Sequence, residues 1–129
     1  MKATTAEWLE IAAEDLDAAE AMLRSGRYLY AGFEAQQAAE KALKAVLQEA
    51  VRVPPKIHNL VTLAREADLV VEELVDRLAT LSAYYIATRY PEVRKELSQR
   101  TTVEVAQSLL DTAREVLAWA KYILTSNES

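Results

Sequence analysis

Helix breakers are scarce in this chain, and that scarcity constrains the fold more than any other feature. Two glycines and three prolines stand among 129 residues, while Ala, Leu and Glu are abundant. Such a sequence favours helices over a turn-rich β fold. Hydrophobic residues make up 51% and charged residues 27%, the balance of a folded domain rather than a disordered one. The length suits one domain, residues 1–129, with one moderate core.

The apolar spacing divides the chain. Leu9, Ala12, Leu16, Ala19 and Leu23 recur at three and four residues, which predicts a first helix over about Ala6–Arg24. Thr4 and Glu7 fit a capping box for it. Acids crowd its early turns, where the helix dipole favours them, and "SGR" supplies a stop with Gly26 at its centre. Phe33, Leu43 and Leu47 anchor a second helix, about Tyr30–Ala50, which "VRVPPK" ends. Ile57–Ala67 reads as a short helix. A fourth spans about Val70–Thr88, with a stripe of Leu74, Leu78 and Leu81 continued by Tyr85. Arg89–Arg100 reads as a loop or a single helical turn. Thr101 and Glu104 fit a second capping box opening a last helix to about Leu124, whose inner side is Val105, Leu109, Ala113, Val116, Ala120 and Ile123. The expectation is an all-α, up-and-down antiparallel bundle of four long helices plus one short one.

Charge and composition exclude several functions. The net charge of −5 argues against a general nucleic-acid coat, which must neutralise phosphates. With no cysteine there is neither a disulfide scaffold nor thiol catalysis, and one histidine makes a poor zinc site. No metal or other cofactor is expected. The start "MKATTAEW" lacks the form of a signal peptide, and no apolar run approaches the roughly 18 residues of a membrane span. A cytoplasmic protein with no membrane partner is the default.

Three places hold candidate chemistry. His58, in "PPKIHNL", admits a capping or packing role, a ligand-facing role, or acid–base chemistry. In "FEAQQAAEKALKAVL", Gln37, Glu40, Lys41 and Lys44 fall on neighbouring turns. They read either as a solvated charged face with a Glu40–Lys44 pair or as a ligand or partner surface. In "YYIATRYPEVR", Tyr85, Arg89, Tyr90, Pro91 and Arg94 meet at a corner. From Arg89 to Arg100 four basic and two acidic residues give a local charge of +2. Arginines fork onto phosphate oxygens and tyrosines stack on bases. Pro91 alone also explains the corner, and Tyr85 also serves as an extension of the core.

Taken in order, "WLEIAAEDLDAAEAML", "YLYAGFEAQQAAEKALKAVL", "PPKIHNLVTLAREA" and "YYIATRYPEV" resemble the successive helices of the HEPN family over nearly the whole chain. The resemblance implies a helical bundle that pairs into a homodimer. It further implies membership of the non-nuclease type that often works with a small nucleotidyltransferase in a two-component, toxin–antitoxin-like system. Other members are ribonucleases that use an Arg-x(4–6)-His motif. Counting from Arg89, the histidine belongs at 94, 95 or 96, where this chain has Arg94, Lys95 and Glu96. Arginine stays protonated and is a poor base, so the departure weakens the nuclease reading. The sequence reading is therefore a non-catalytic nucleotide-binding or accessory subunit. Its ligand or partner surface comprises Arg89, Tyr90, Arg94, Gln37, Lys41 and Lys44, with nucleotide or RNA as ligand. His58, Tyr85 and Pro91 are structural or ligand-facing. A degenerate, metal-independent, toxin-like ribonuclease and a purely structural interaction module are the alternatives.

Overall fold

A computed structural model describes residues 1–50, 53–69 and 72–126. They form seven helices and no strand: α1 (Ala3–Arg24), α2 (Tyr28–Glu49), α3 (Leu60–Glu66), α4 (Glu72–Ser82), α5 (Tyr84–Ala87), α6 (Pro91–Arg100) and α7 (Val103–Ser126). The all-α bundle is as expected, but its composition differs. Three helices are long and four are short.

The centre is α2, which packs against every other helix. Alanine makes this possible. Ala31, Ala35, Ala38, Ala39, Ala42 and Ala45 are all fully buried, so neighbours approach the α2 backbone from several sides. Leu43 and Leu47 fill the wider gaps, while Phe33 is only half-buried. Around α2 lie Ala12 and Ala19 of α1, Leu60 and Leu63 of α3, Leu78 and Leu81 of α4, and Leu109, Leu110, Ala113, Val116 and Ala120 of α7. Leu9, Leu16, Leu23 and Val105 pack at the margin of this core. Ile123 is only half-buried, and Leu124 takes the inward position.

Several boundaries depart from the sequence expectation for local physical reasons. The first helix starts at Ala3, and no side chain caps it. Thr4 and Glu7 therefore do not form a capping box; the start is held across the bundle, where Lys2 N–H donates to Glu49 Oε1 at 2.9 Å. Gly26 does supply the stop, with φ 80°, as Arg27 N–H closes onto Met22 O at 2.9 Å. The short third helix starts only at Leu60, because Asn59 is its cap and accepts from Thr62 N–H. The capping residue of α7 is Thr102, whose hydroxyl accepts from Val105 N–H at 3.2 Å. Thr101, expected there, is instead buried. The expected start of the fourth helix at Val70, and Val51 and Arg52 of "VRVPPK", lie outside the described residues.

The expected fourth helix is two pieces joined at Ala83. The break lets Tyr84, rather than Tyr85, turn into the core. Its ring covers Gly32 of α2, and its hydroxyl donates to Thr101 Oγ1 at 2.6 Å, which in turn donates to Leu97 O. The supposed loop after Arg89 is a ten-residue helix, α6. Proline is favoured at the first helical position, and Pro91 occupies it. No α6 residue is fully buried, so its hydrophobic pattern carried little signal.

Gly32 is required at its position by space. A Cβ there would lie 2.7 Å from Tyr84 Cδ2 and 3.1 Å from Leu109 Cδ1. Gly32→Ala gains about 1 kcal/mol of helix propensity, but overpacking a core costs about 1–3 kcal/mol. We expect a net loss, read as a lower denaturation midpoint, with Gly32→Ser worse. An unchanged midpoint would show that the Tyr84 ring has room to move.

Candidate functional site

Every fourth residue of α2 from Gln36 to Lys44 is polar, and all three, Gln36, Glu40 and Lys44, are buried. This corrects the reading of Glu40 and Lys44 as a solvated surface pair. Helical spacing of four places them in one row; Gln36 and Glu40 meet the segment before α3 at His58, and Lys44 lies beside Trp8 of α1.

Glu40 is the hub, with its side chain 2% exposed. Gln36 Nε2 donates to Oε1 at 3.0 Å and Lys44 Nζ to Oε2 at 3.0 Å. His58 Nδ1 lies 3.1 Å from both carboxylate oxygens. Burial alone would raise the Glu40 pKa. The hydrogen bonds from Gln36 and Lys44, with the charges of Lys44 and Lys41, outweigh it and hold the carboxyl below its ordinary value. Donors line up behind Gln36: Lys41 Nζ donates to Gln37 Oε1 at 2.8 Å, and Gln37 Nε2 to Gln36 Oε1 at 2.7 Å. Each bond thus polarises the next toward Glu40.

An ionised carboxylate at Nδ1 fixes the imidazole with its proton on that nitrogen and leaves Nε2 as the lone-pair nitrogen. The His58 side chain is 41% exposed, and Nε2 has no protein partner among the described residues. The backbone is fixed too: Gln36 Nε2 donates to the His58 carbonyl at 3.3 Å, with Ser82 Oγ at 3.5 Å. His58 is thus neither the cap of α3 nor a packed core residue. Its ring stacks on Tyr85, centroids 3.9 Å apart and planes 11° apart. The Arg89 guanidinium lies over the same tyrosine, 4.5 Å from the ring centre.

Of the six residues of the expected ligand surface, Gln37, Lys41, Lys44 and Arg89 join one network through Gln36, Glu40, His58 and Tyr85, whereas Arg94 bonds elsewhere. Lys44 is drawn inward to Glu40, with its amine 5.9 Å from the Trp8 ring. Gln37 and Lys41 sit at the outer end of the polar row. Beside them, desolvation raises the pKa of Asp15, aided by the charges of Glu14 and Glu40. Desolvation likewise raises Glu34, aided by Asp15. Arg89 belongs with His58 through Tyr85. Tyr90 is 59% exposed and caps α6 with its backbone. Arg94 turns away to Tyr30 of α2, its Nε and Nη2 each 3.2 Å from the phenol oxygen. Gln36, Glu40 as anchor, and Tyr30 were missed. The available signal was the polar row 36, 40 and 44 running among the alanines at 35, 38, 39, 42 and 45.

The family model of the HEPN domain matches residues 5–123, and the chain belongs to the HEPN family. It is similar to the crystal structure of TT1696 from Thermus thermophilus, with 35% identity over 91% of this chain and 95% of that one, at a TM-score of 0.78. A HEPN domain protein from Thermotoga maritima is 27% identical over 92% of this chain and 98% of that one, TM-score 0.74. ST0689, an archaeal HEPN homologue, is 27% identical over 94% and 97%, TM-score 0.73. Comparison with curated proteins gives no match. Among the described residues no helix is long and apolar enough to cross a membrane.

The hub sets two outcomes. Glu40→Ala leaves Lys44 and His58 facing a buried gap, and losing one partner of a buried pair costs about 3–5 kcal/mol; a chemical denaturation midpoint reads it. Because its folded pKa is lowered, Glu40 contributes stability above its unfolded value, lost as pH falls through the folded one. Asp15 and Glu34, whose pKa values are raised, act in the opposite sense and favour the fold as they protonate. Glu40→Gln should therefore flatten or reverse the loss of stability on acidification below about pH 4.5. An unchanged acid limb would place the acid sensitivity elsewhere.

Proposed function

We propose that this HEPN domain acts on RNA as a metal-independent, toxin-like ribonuclease with an atypical residue set, using His58 for proton transfer. The observation that carries this reading is the His58 ring, bound at Nδ1 by Glu40 and stacked on the tyrosine that also carries Arg89. The linear Arg-x(4–6)-His pair is missing, but an arginine and an oriented histidine still share one aromatic ring. Nε2 would take the proton of a ribose 2′-hydroxyl as that oxygen bonds to phosphorus. The P–O5′ bond breaks, and the departing oxygen takes a proton from the imidazolium. Arg89 offers its guanidinium to the phosphoryl oxygens, and Glu40 stabilises the charged imidazole.

A second reading is the nucleotide-binding accessory subunit of a two-component system with a nucleotidyltransferase. It is favoured by Arg94, Lys95 and Glu96 at the positions where family nucleases carry histidine. Both readings take the protein as a cytoplasmic homodimer. Exposed Ile86 and Tyr90 beside the site supply apolar surface for pairing.

The test is cleavage of a fluorescent oligoribonucleotide in excess chelator, beside anisotropy binding of the same strand. Removing a proton-transfer group costs about 10²–10⁴-fold. His58→Gln should lower the rate by that order while binding persists, and Arg89→Ala should weaken both. Saturable binding with background cleavage by the wild type would overturn the ribonuclease reading in favour of the accessory one.

A further inference from the structure

A second concave site lies away from His58, between the first turn of α2 and the outer face of α6. It is a cleft of about 260 Å³ lined by Arg27, Tyr30, Arg94 and Ser98, with Thr101 at its edge. That edge is fixed, since Thr101 is tied to Tyr84 and Leu97. Among the described residues no Asp or Glu lines it. In a chain of net charge −5, that is a local excess of two positive charges.

The two arginines are not spent on carboxylates. Arg77, Arg100 and Arg114 pair with Glu115, Glu96, and Glu20 and Asp111. Among the described residues neither Arg27 nor Arg94 has such a partner. Arg94 is instead held by a neutral group. Nε and Nη2 both reach the Tyr30 hydroxyl, and the guanidinium carbon lies 5.7 Å from the Tyr30 ring centre. Two contacts on one phenol orient the guanidinium without neutralising it, and Nη1 has no partner among the described residues. Ser98 is four residues beyond Arg94 on α6, so its hydroxyl shares that helix face.

We propose that this cleft binds a terminal phosphate group of a nucleotide or RNA strand, a site separate from the His58 corner. Size and charge both select the ligand. Pockets for whole drug-sized molecules run from roughly 300 to 1,000 Å³, so a cleft of about 260 Å³ has room for a phosphate and part of what it is attached to. A phosphomonoester carries about −1.5 to −2 at neutral pH, which matches two guanidiniums better than the single charge of an internal diester. Tyr30 and Glu40 are ten positions apart, about 15 Å along α2. A strand end held at Arg94 would thus lie a few nucleotides from His58. The site does not require cleavage at His58.

The experiment compares a short oligoribonucleotide bearing a 5′-phosphate, the same strand with a 3′-phosphate, and the strand with hydroxyl ends. Binding is measured to the full chain at fixed ionic strength. We expect one phosphorylated strand to bind about ten- to a hundredfold more tightly than the hydroxyl form, the scale of charge-assisted hydrogen bonds. The preferred end identifies the source of the phosphate. Arg27→Gln with Arg94→Gln should abolish the preference while circular dichroism and thermal midpoint stay those of the wild type. Arg94→Lys, which keeps the charge, should retain part of it. His58→Gln should leave the preference intact even where cleavage is lost. Equal affinity for all three strands, or a preference that survives the double substitution, would overturn the proposal.

Discussion

A single buried carboxylate organises this molecule. Glu40 sits on the helix that touches all the others, and its four close donor contacts come from three side chains. Removing a carboxylate from water is costly unless such bonds replace hydration. Here they do, and they also fix a histidine from a different segment. The polar row and the apolar core are therefore one construction. The alanines that let α2 lie at the centre also bring its polar row within reach of the His58 segment.

The sequence made the long helices legible because their apolar stripes are regular. α1, α2 and α7 carry leucines and alanines at three- and four-residue spacing over about six turns each. It was less informative where tertiary contacts decide. Tyr84 and Tyr85 are adjacent, and periodicity favoured Tyr85 for the core. The gap left by Gly32 draws Tyr84 inward and places Tyr85 under His58. Thr101 and Thr102 present the same ambiguity. Each is a fair cap by type, and only the buried Tyr84 hydroxyl assigns Thr101 another task.

The candidate site was half legible for a related reason. His58, Tyr85 and Arg89 were visible as chemically suggestive residues in separate motifs, but nothing in their spacing showed that they stack. Glu40 looked like one member of a common surface pair. Its burial follows from a loop closing over it, which no local pattern encodes. Conversely, charge clustering grouped Arg89 and Arg94 together. The turn into α6 separates them, one to Tyr85 and the other to Tyr30.

The bond from Tyr84 to Thr101 brackets α6. One end of the tie precedes the helix and the other follows it. Between them α6 contributes no fully buried residue, only Val93 and Leu97 at the margin of the core. Its placement is set by its two anchors more than by its own sequence. The outward positions of α6 are thus a replaceable face on a fixed mount. With Gly32, Tyr84 and Thr101 kept, exchanging the charges between them changes what this face grips without rebuilding the bundle.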